Sequence, residues 1–343
     1  MPVRVGICGY GKMGQIRAEA AASHGAGEVA RVYDVAYDGT PPYPQAASVE
    51  EIVADPEIDA VFVCLPNHMN KDTTIAALRA GKHVFCEKPP AFTGDEVREI
   101  RAVEAESGKV LMYGFNHRHH AAIAKMKEIV ERGFYGDVLW MRGRYGKSVD
   151  EGYLQGWRAD KALAGGGILL DQGIHMLDLM LYLSNDEFDD VHAFVQNLYW
   201  KTPGIEDNVF AIMRNSRTGV AASLHSTMTQ WRHLFSLEVF LERGYLVLNG
   251  LKTSSGTYGE EVLTIAKNRS TAPAATWEDE ERLRFEVDTS WSREAELFFD
   301  SVLFGAPVRY GSSEQAERVM DHIDRIYANE RQERDVLHQR LGG

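Results

Sequence analysis

Residues 3–8 (Val-Arg-Val-Gly-Ile-Cys) form a short apolar run, followed by a glycine-rich turn and an alanine-rich stretch over 13–23 that favours helix. A second strand is expected over 28–34, ending on Asp34, and a short helix over 48–54 follows the loop of Pro41, Pro42 and Pro44. The run 59–65 is apolar without alternation, the mark of a strand covered on both faces. Helix over 68–80, strand over 83–86, helix over 94–107 and strand over 109–114 come next, with Gly81 and Gly108 where helix C-caps belong. This alternation predicts α/β architecture: an N-terminal Rossmann domain over 1–116, built on a doubly wound parallel sheet.

Beyond about residue 116 the texture changes. A helix over 119–132 and a strand over 137–147 lead to a glycine-rich turn, read as flexible, and a helix over 171–183. Strand candidates follow at 188–200, 207–214, 219–228, 234–241 and 244–249, with connections short enough for hairpins. Residues 117–343 are therefore expected to form an α+β domain for substrate binding and oligomerisation, with a large, mostly antiparallel open sheet. Helices over 290–304 and 312–330 close it, and the polar tail beyond Asn329 reads as a frayed helix or an arm.

The length of 343 residues suits two domains, which leave a cleft between them. No apolar run reaches the roughly 20 residues a bilayer requires, so no membrane partner is expected. A formal charge of −13 without a basic stripe argues against nucleic acid. The start lacks the basic and apolar regions of a secretory signal, and Cys8, Cys64 and Cys86 read as core residues in a reducing compartment; both point to the cytoplasm.

Gly9, Gly11 and Gly14 make G-x-G-x-x-G where the first strand meets the first helix, a spacing that lets backbone N–H groups approach a pyrophosphate. An unliganded glycine turn gives the same hexapeptide, but strand, helix and Asp34 together favour the dinucleotide reading. A carboxylate at Asp34 accepts from a ribose 2′-OH and repels a 2′-phosphate, so NAD is preferred to NADP, a preference that Lys12 slightly weakens. Glu87-Lys88-Pro89-Pro90 follows a strand that ends at the ligand-binding edge of the sheet, where Lys88 is either an acid/base group or a solvated loop lysine.

Asp171 and His175 stand four apart after Gly165-Gly166-Gly167, on one face of the expected helix, and a carboxylate beside an imidazole suits acid/base work. The same residues read as a helix cap and a core histidine. Asp171, His175 and Asp178 on one helix do not make a metal site without a further ligand, nor do His117, His119 and His120, so no metal is expected. Asn116 and Arg118 are candidates to face the cleft, and Tyr153, Trp157 and Arg158 to offer stacking surfaces and a bidentate donor, although Trp157 could equally pack a domain junction.

Taken in order, Gly-Tyr-Gly-Lys-Met-Gly at 9–14, the strand into Leu65-Pro66-Asn67-His68, Glu-Lys-Pro at 87–89 and the segment 165–178 resemble the Gfo/Idh/MocA oxidoreductases (glucose-fructose oxidoreductase, inositol 2-dehydrogenase, rhizopine catabolism) along essentially the whole chain. The resemblance implies cofactor contacts from Gly9, Gly11, Lys12, Met13, Gly14, Asp34, Leu65, Pro66, Asn67, His68, Glu87 and Lys88. It also implies that Lys88 is the family's Glu-Lys-Pro lysine and that Asp171 and His175 frame the reacting carbon, while Asn116, Arg118, Trp157 and Arg158 stay the residue-level candidates at the substrate.

The expected activity is hydride transfer between NAD and a secondary alcohol of a sugar, sugar acid or cyclitol, by a homodimer or homotetramer joined through the second sheet. Two alternatives stay open: retained NAD serving elimination or glycoside cleavage, and a non-catalytic nucleotide-sensing regulator.

Overall fold

Five short strands make a parallel sheet in the order β2-β1-β3-β4-β5: β1 (Val3–Cys8), β2 (Gly27–Tyr33), β3 (Ala60–Val63), β4 (His83–Glu87) and β5 (Leu111–Gly114). The computed structural model describes residues 1–267 and 275–341. Every residue of β3, β4 and β5 but His83 is buried, because helices cover both faces. The helices are α1 (Lys12–Ser23), α2 (Val49–Ala54), α3 (Asn67–Arg79) and α4 (Gly94–Ser107). Ser48 and Thr93 cap α2 and α4 by accepting the N–H groups of Glu51 and Glu96, and Gly108 ends α4 in the left-handed conformation at φ +63°.

The second sheet has eight strands in the order β13-β12-β11-β10-β6-β9-β8-β7. They are β6 (Val138–Ser148), β7 (Asp190–Gln196), β8 (Asn208–Arg214), β9 (Ala221–Thr227), β10 (Thr229–Leu241), β11 (Gly244–Asn249), β12 (Glu261–Lys267) and β13 (Glu281–Phe285). Among the described residues of this sheet only the β6–β9 pair is parallel. α5 (Ala121–Arg132), the short α6 (Lys161–Ala164) and α7 (Ile174–Ser184) accompany this sheet in the chain, and nine of the eleven α7 residues are buried.

Three expectations change. The strand expected over 188–200 stops at Gln196, because the buried Asp207 carboxylate accepts the N–H groups of Leu198, Tyr199 and Trp200 and curls that segment into a loop. The first turn of the helix expected over 171–183 is a π-turn, Leu169–Gly173. β12 and β13 join the sheet beyond the strands anticipated from the pattern.

Two helices close the chain, α8 (Ser290–Phe304) and α9 (Ser313–Leu341), so the segment beyond Asn329 continues as helix. Thr289–Asp321 and Ala162–Gly165 cluster with Met1–His119, while the second unit comprises His120–Lys161, Gly166–Asp288 and the residues from His322. The return of α8 has a plain cause. Phe298 and Phe299 are fully buried against the first sheet, with Phe298 edge-on to Phe62 and Phe85 at 5.3 and 5.8 Å between ring centroids.

In the second unit α9 lies along the edge strand β7. Asn329 Oδ1 accepts the N–H of Ala193 at 2.7 Å and Glu330 Oε2 that of Val195 at 3.2 Å.

Candidate active site

The turn after β1 is shaped by close approach. A Cβ on Gly9, which has φ +93°, would fall 2.3 Å from the Cys64 carbonyl oxygen, and one on Gly14 would fall 1.9 Å from that of Gly9. Gly11 is exposed, and a Cβ added there would lie 3.9 Å from Asp34 Oδ2. α1 begins with no side-chain cap and no acidic residue in its first turn, so its leading N–H groups and the positive end of its dipole are presented to an anion. Lys12 is exposed and Met13 half-buried at that end.

Asp34 immediately follows β2. Its Oδ2 accepts the Tyr10 N–H at 2.8 Å and its Oδ1 the Ala36 N–H at 2.7 Å, which locks the carboxylate beside the glycine turn. Leu65, Pro66 and Asn67 are half-buried and His68 exposed where α3 begins, again without a side-chain cap. Asn67 Nδ2 donates to the Ala164 carbonyl at 2.9 Å. A glycine turn without room for side chains, two uncapped helix starts and a fixed acidic group are the donor set a dinucleotide needs, and these residues fit NAD.

Lys88 is half-buried after β4, and the Lys88–Pro89 bond is cis. Asn70, buried on α3, donates through Nδ2 to the carbonyls of Glu87 (3.4 Å) and Pro89 (2.8 Å) and so holds the turn. Glu87 turns inward. Its carboxylate accepts from Arg17 Nε at 2.6 Å, and Arg17 Nη1 lies 2.7 Å from the buried Glu294 of α8. The Arg17 guanidinium is sandwiched between Phe85 and Trp291, 4.3 and 4.7 Å from their ring centroids. Glu87, expected at the cofactor, is thus a member of a buried ion cluster, because the alternation of β4 aims it under the sheet edge.

Burial pushes the thiols of Cys8 and Cys86 up to about 12 and that of Cys64 well above the usual range, so these cysteines are protonated core residues. Asn116 and Arg118 are also turned to packing. Asn116 donates to Ser290 at 3.2 Å, and Arg118, 4% exposed, donates to Gln315 at 2.6 Å and lies over Phe115.

In the second unit the glycine run is a set of close contacts and not a flexible hinge. A Cβ at Gly166 would lie 2.4 Å from the Tyr327 hydroxyl and one at Gly167 2.1 Å from the Glu206 carbonyl oxygen; both glycines are buried. In the π-turn that follows, the Ile174 N–H reaches back five residues to the Leu169 carbonyl. Asp171 sits on this turn, and His175, 4% exposed, on the first turn of α7.

The Asp171 carboxylate gathers side chains that spacing could not reveal. Its Oδ2 accepts from the Tyr153 hydroxyl at 2.5 Å and from Lys147 Nζ at 2.9 Å, and Arg158 Nε lies 3.9 Å from Oδ1. Lys147 Nζ is 4.2 Å from the Tyr153 ring centroid, and Arg158 stacks on Trp157 at the same distance. Burial and then the neighbouring Asp171 raise the Tyr153 phenol far above its usual range, so it remains a donor. Trp157 and Arg158 are half-buried, placed to offer a ring and a cation.

Residues 3–115 match the model described as the oxidoreductase family, NAD-binding Rossmann fold, and residues 123–247 match the GFO/IDH/MocA C-terminal domain. The chain is 35% identical over 228 residues to a 1,5-anhydro-D-fructose reductase of Ensifer adhaerens, spanning 66% of this chain and 67% of that protein. It is 26% identical over 272 residues to a myo-inositol 2-dehydrogenase of Thermotoga maritima, spanning 76% and 79%. A levoglucosan dehydrogenase solved with NADH and levoglucosan shares the fold, with a TM-score of 0.84 at 23% identity over 97% of this chain and 98% of that one.

Proposed function

The chain belongs to the Gfo/Idh/MocA family of NAD-binding oxidoreductases, and from that membership we propose that it interconverts a secondary alcohol and a ketone on a sugar, sugar acid or cyclitol. The observation that carries this reading is the pairing of a matched NAD-binding domain, whose Asp34 carboxylate is locked beside the glycine turn, with relatives named for 1,5-anhydro-D-fructose and myo-inositol.

Gly9, Gly11, Gly14 and Asp34, with the starts of α1 and α3, hold the dinucleotide, which when bound takes up or gives back the hydride. Lys88 and His175 are the acid/base candidates for the hydroxyl, and Asp171 holds Lys147 and Tyr153 in place. Asn70 and Arg17 act behind Lys88, fixing the turn that carries it. Trp157 and Arg158 offer an aromatic face and a cation to a polyhydroxylated ring.

Self-association into a dimer or tetramer uses the outer face of the second sheet. Phe194, Phe210 and Ile212 are 59%, 43% and 65% exposed there, and Trp140 stacks on Phe240 at 4.8 Å. The setting is cytoplasmic, in keeping with three free cysteines. Among the described residues no helix is long and apolar enough to cross a membrane.

The test is NADH appearance by near-ultraviolet absorbance with NAD⁺ and a panel of myo-inositol, levoglucosan, glucosides and sugar acids, with 1,5-anhydro-D-fructose and NADH in the reverse direction. Turnover of at least one compound, lost in Lys88→Ala, supports the proposal. Silence across the panel with NADH still bound overturns it.

A further inference from the structure

Glu206 precedes β8, has no place in the motifs of the chain, and is 7% exposed. Its Oε2 accepts the Gly167 N–H at 2.7 Å, and its Oε1 accepts both the Leu169 N–H at 3.0 Å and the Tyr327 hydroxyl at 2.8 Å. Its carbonyl accepts the Ile168 N–H at 3.0 Å. Three successive backbone donors entering the π-turn thus end on one distant residue.

Helix starts ordinarily leave such donors to a local Ser, Thr or Asp, at little desolvation cost. A buried carboxylate costs more, and it does something a local cap cannot. It ties the turn to β8 and, through Tyr327, to α9, fixing where the turn stands as well as its conformation.

That matters because Asp171 lies within the wide turn and His175 just after it. A π-turn accommodates one residue more than an α-turn, and losing it would change the angle between the two side chains around the helix axis. Leu169, whose carbonyl closes the wide turn, is the residue whose N–H Glu206 holds.

We propose that Glu206 is a positioning residue for the reaction: its carboxylate, braced by the Tyr327 hydroxyl, clamps the register of the π-turn that presents Asp171 and His175. This rests on the reading that those two residues face substrate, and the test separates the two claims.

Full-length Glu206→Gln and Tyr327→Phe are compared with the parent by amide hydrogen exchange, by NADH affinity, and by turnover of whichever panel compound the parent accepts. Glutamine presents an NH2 group toward one of the backbone N–H donors and breaks the clamp without changing its size. In Glu206→Gln, exchange over 167–174 should rise about tenfold or more while 3–33 is unchanged. kcat should fall by about 30-fold with KM and the NADH dissociation constant within about twofold, the pattern of an interaction felt only in the transition state. Tyr327→Phe should move both quantities in the same direction by less.

Unchanged exchange in Glu206→Gln overturns the proposal, as does faster exchange with kcat and its pH profile intact. Should Glu206→Gln fail to fold, Tyr327→Phe decides by the same criteria. If the parent turns over no compound of the panel given under the proposed function, the substrate reading is what has failed, and the exchange result alone decides whether the clamp exists.

Discussion

Tyr153 donates its hydroxyl to Asp171 over 2.5 Å, on the same carboxylate oxygen that receives Lys147 Nζ. Twenty-four residues separate Lys147 from Asp171 and eighteen separate Tyr153 from it. A carboxylate with a cation and a phenol on one oxygen is held in one orientation.

Removing the cation tests this. Lys147→Met should lower kcat/KM at neutral pH by about tenfold, because the carboxylate loses the cation that fixes its orientation. Tyr153→Phe should act in the same direction with a smaller loss. Parental kcat/KM in both variants would show that the reaction does not depend on how Asp171 is held.

Lys88→Ala and His175→Ala should each lower kcat by about 100-fold or more, the scale of a lost acid/base group, with NADH affinity retained. Stopped turnover with intact cofactor titration is the readout, and parental turnover in both variants would remove them from the chemistry.

At the cofactor, Asp34→Asn should weaken NAD⁺ binding by about tenfold, or about 1.4 kcal/mol, and narrow the preference over NADP⁺ by relieving repulsion of a 2′-phosphate. Titration calorimetry with both dinucleotides gives the ratio; an unchanged ratio would place the ribose elsewhere.

Burial raises the Glu206 carboxyl above its ordinary 4.5 despite the donors around it. An acid that holds its proton more tightly in the folded chain makes folding more favourable as pH falls through the window between 4.5 and the raised value. Stability is therefore lost as pH rises through that window. Glu206→Gln should abolish this component, seen as a flatter dependence of Tm on pH above 4.5.

Phe298→Ala should cost about 3–5 kcal/mol in chemical denaturation, because it empties space against Phe62 and Phe85 that nothing nearby can fill. A cost below about 1 kcal/mol would mean that α8 adds little to the first unit.

The first unit was largely legible because its signals are local. Apolar runs bounded by glycines gave the five strands, and the glycine spacing before Asp34 gave the cradle. What stayed hidden depends on partners far away in sequence. The apolar spacing around Asp171 reports a helix but not its period, so the π-turn escaped. The run from Gly165 suggested flexibility, whereas Gly166 and Gly167 are small because Tyr327 and a Glu206 carbonyl press on them. Glu87 sat in the right motif, yet its partner Arg17 is 70 residues away. β13 escaped because its exposed charges, Glu281, Arg282 and Arg284, break the alternation by which strands are recognised.

Those same charges and the α9 side chains on β7 bear on how copies can meet. A strand edge with free donors invites a neighbouring chain to continue the ladder without limit. At one end the donors of Ala193 and Val195 are already consumed from within the chain, and at the other the last strand is five residues long and studded with charge. Growth by adding strands is therefore discouraged at both margins of the sheet.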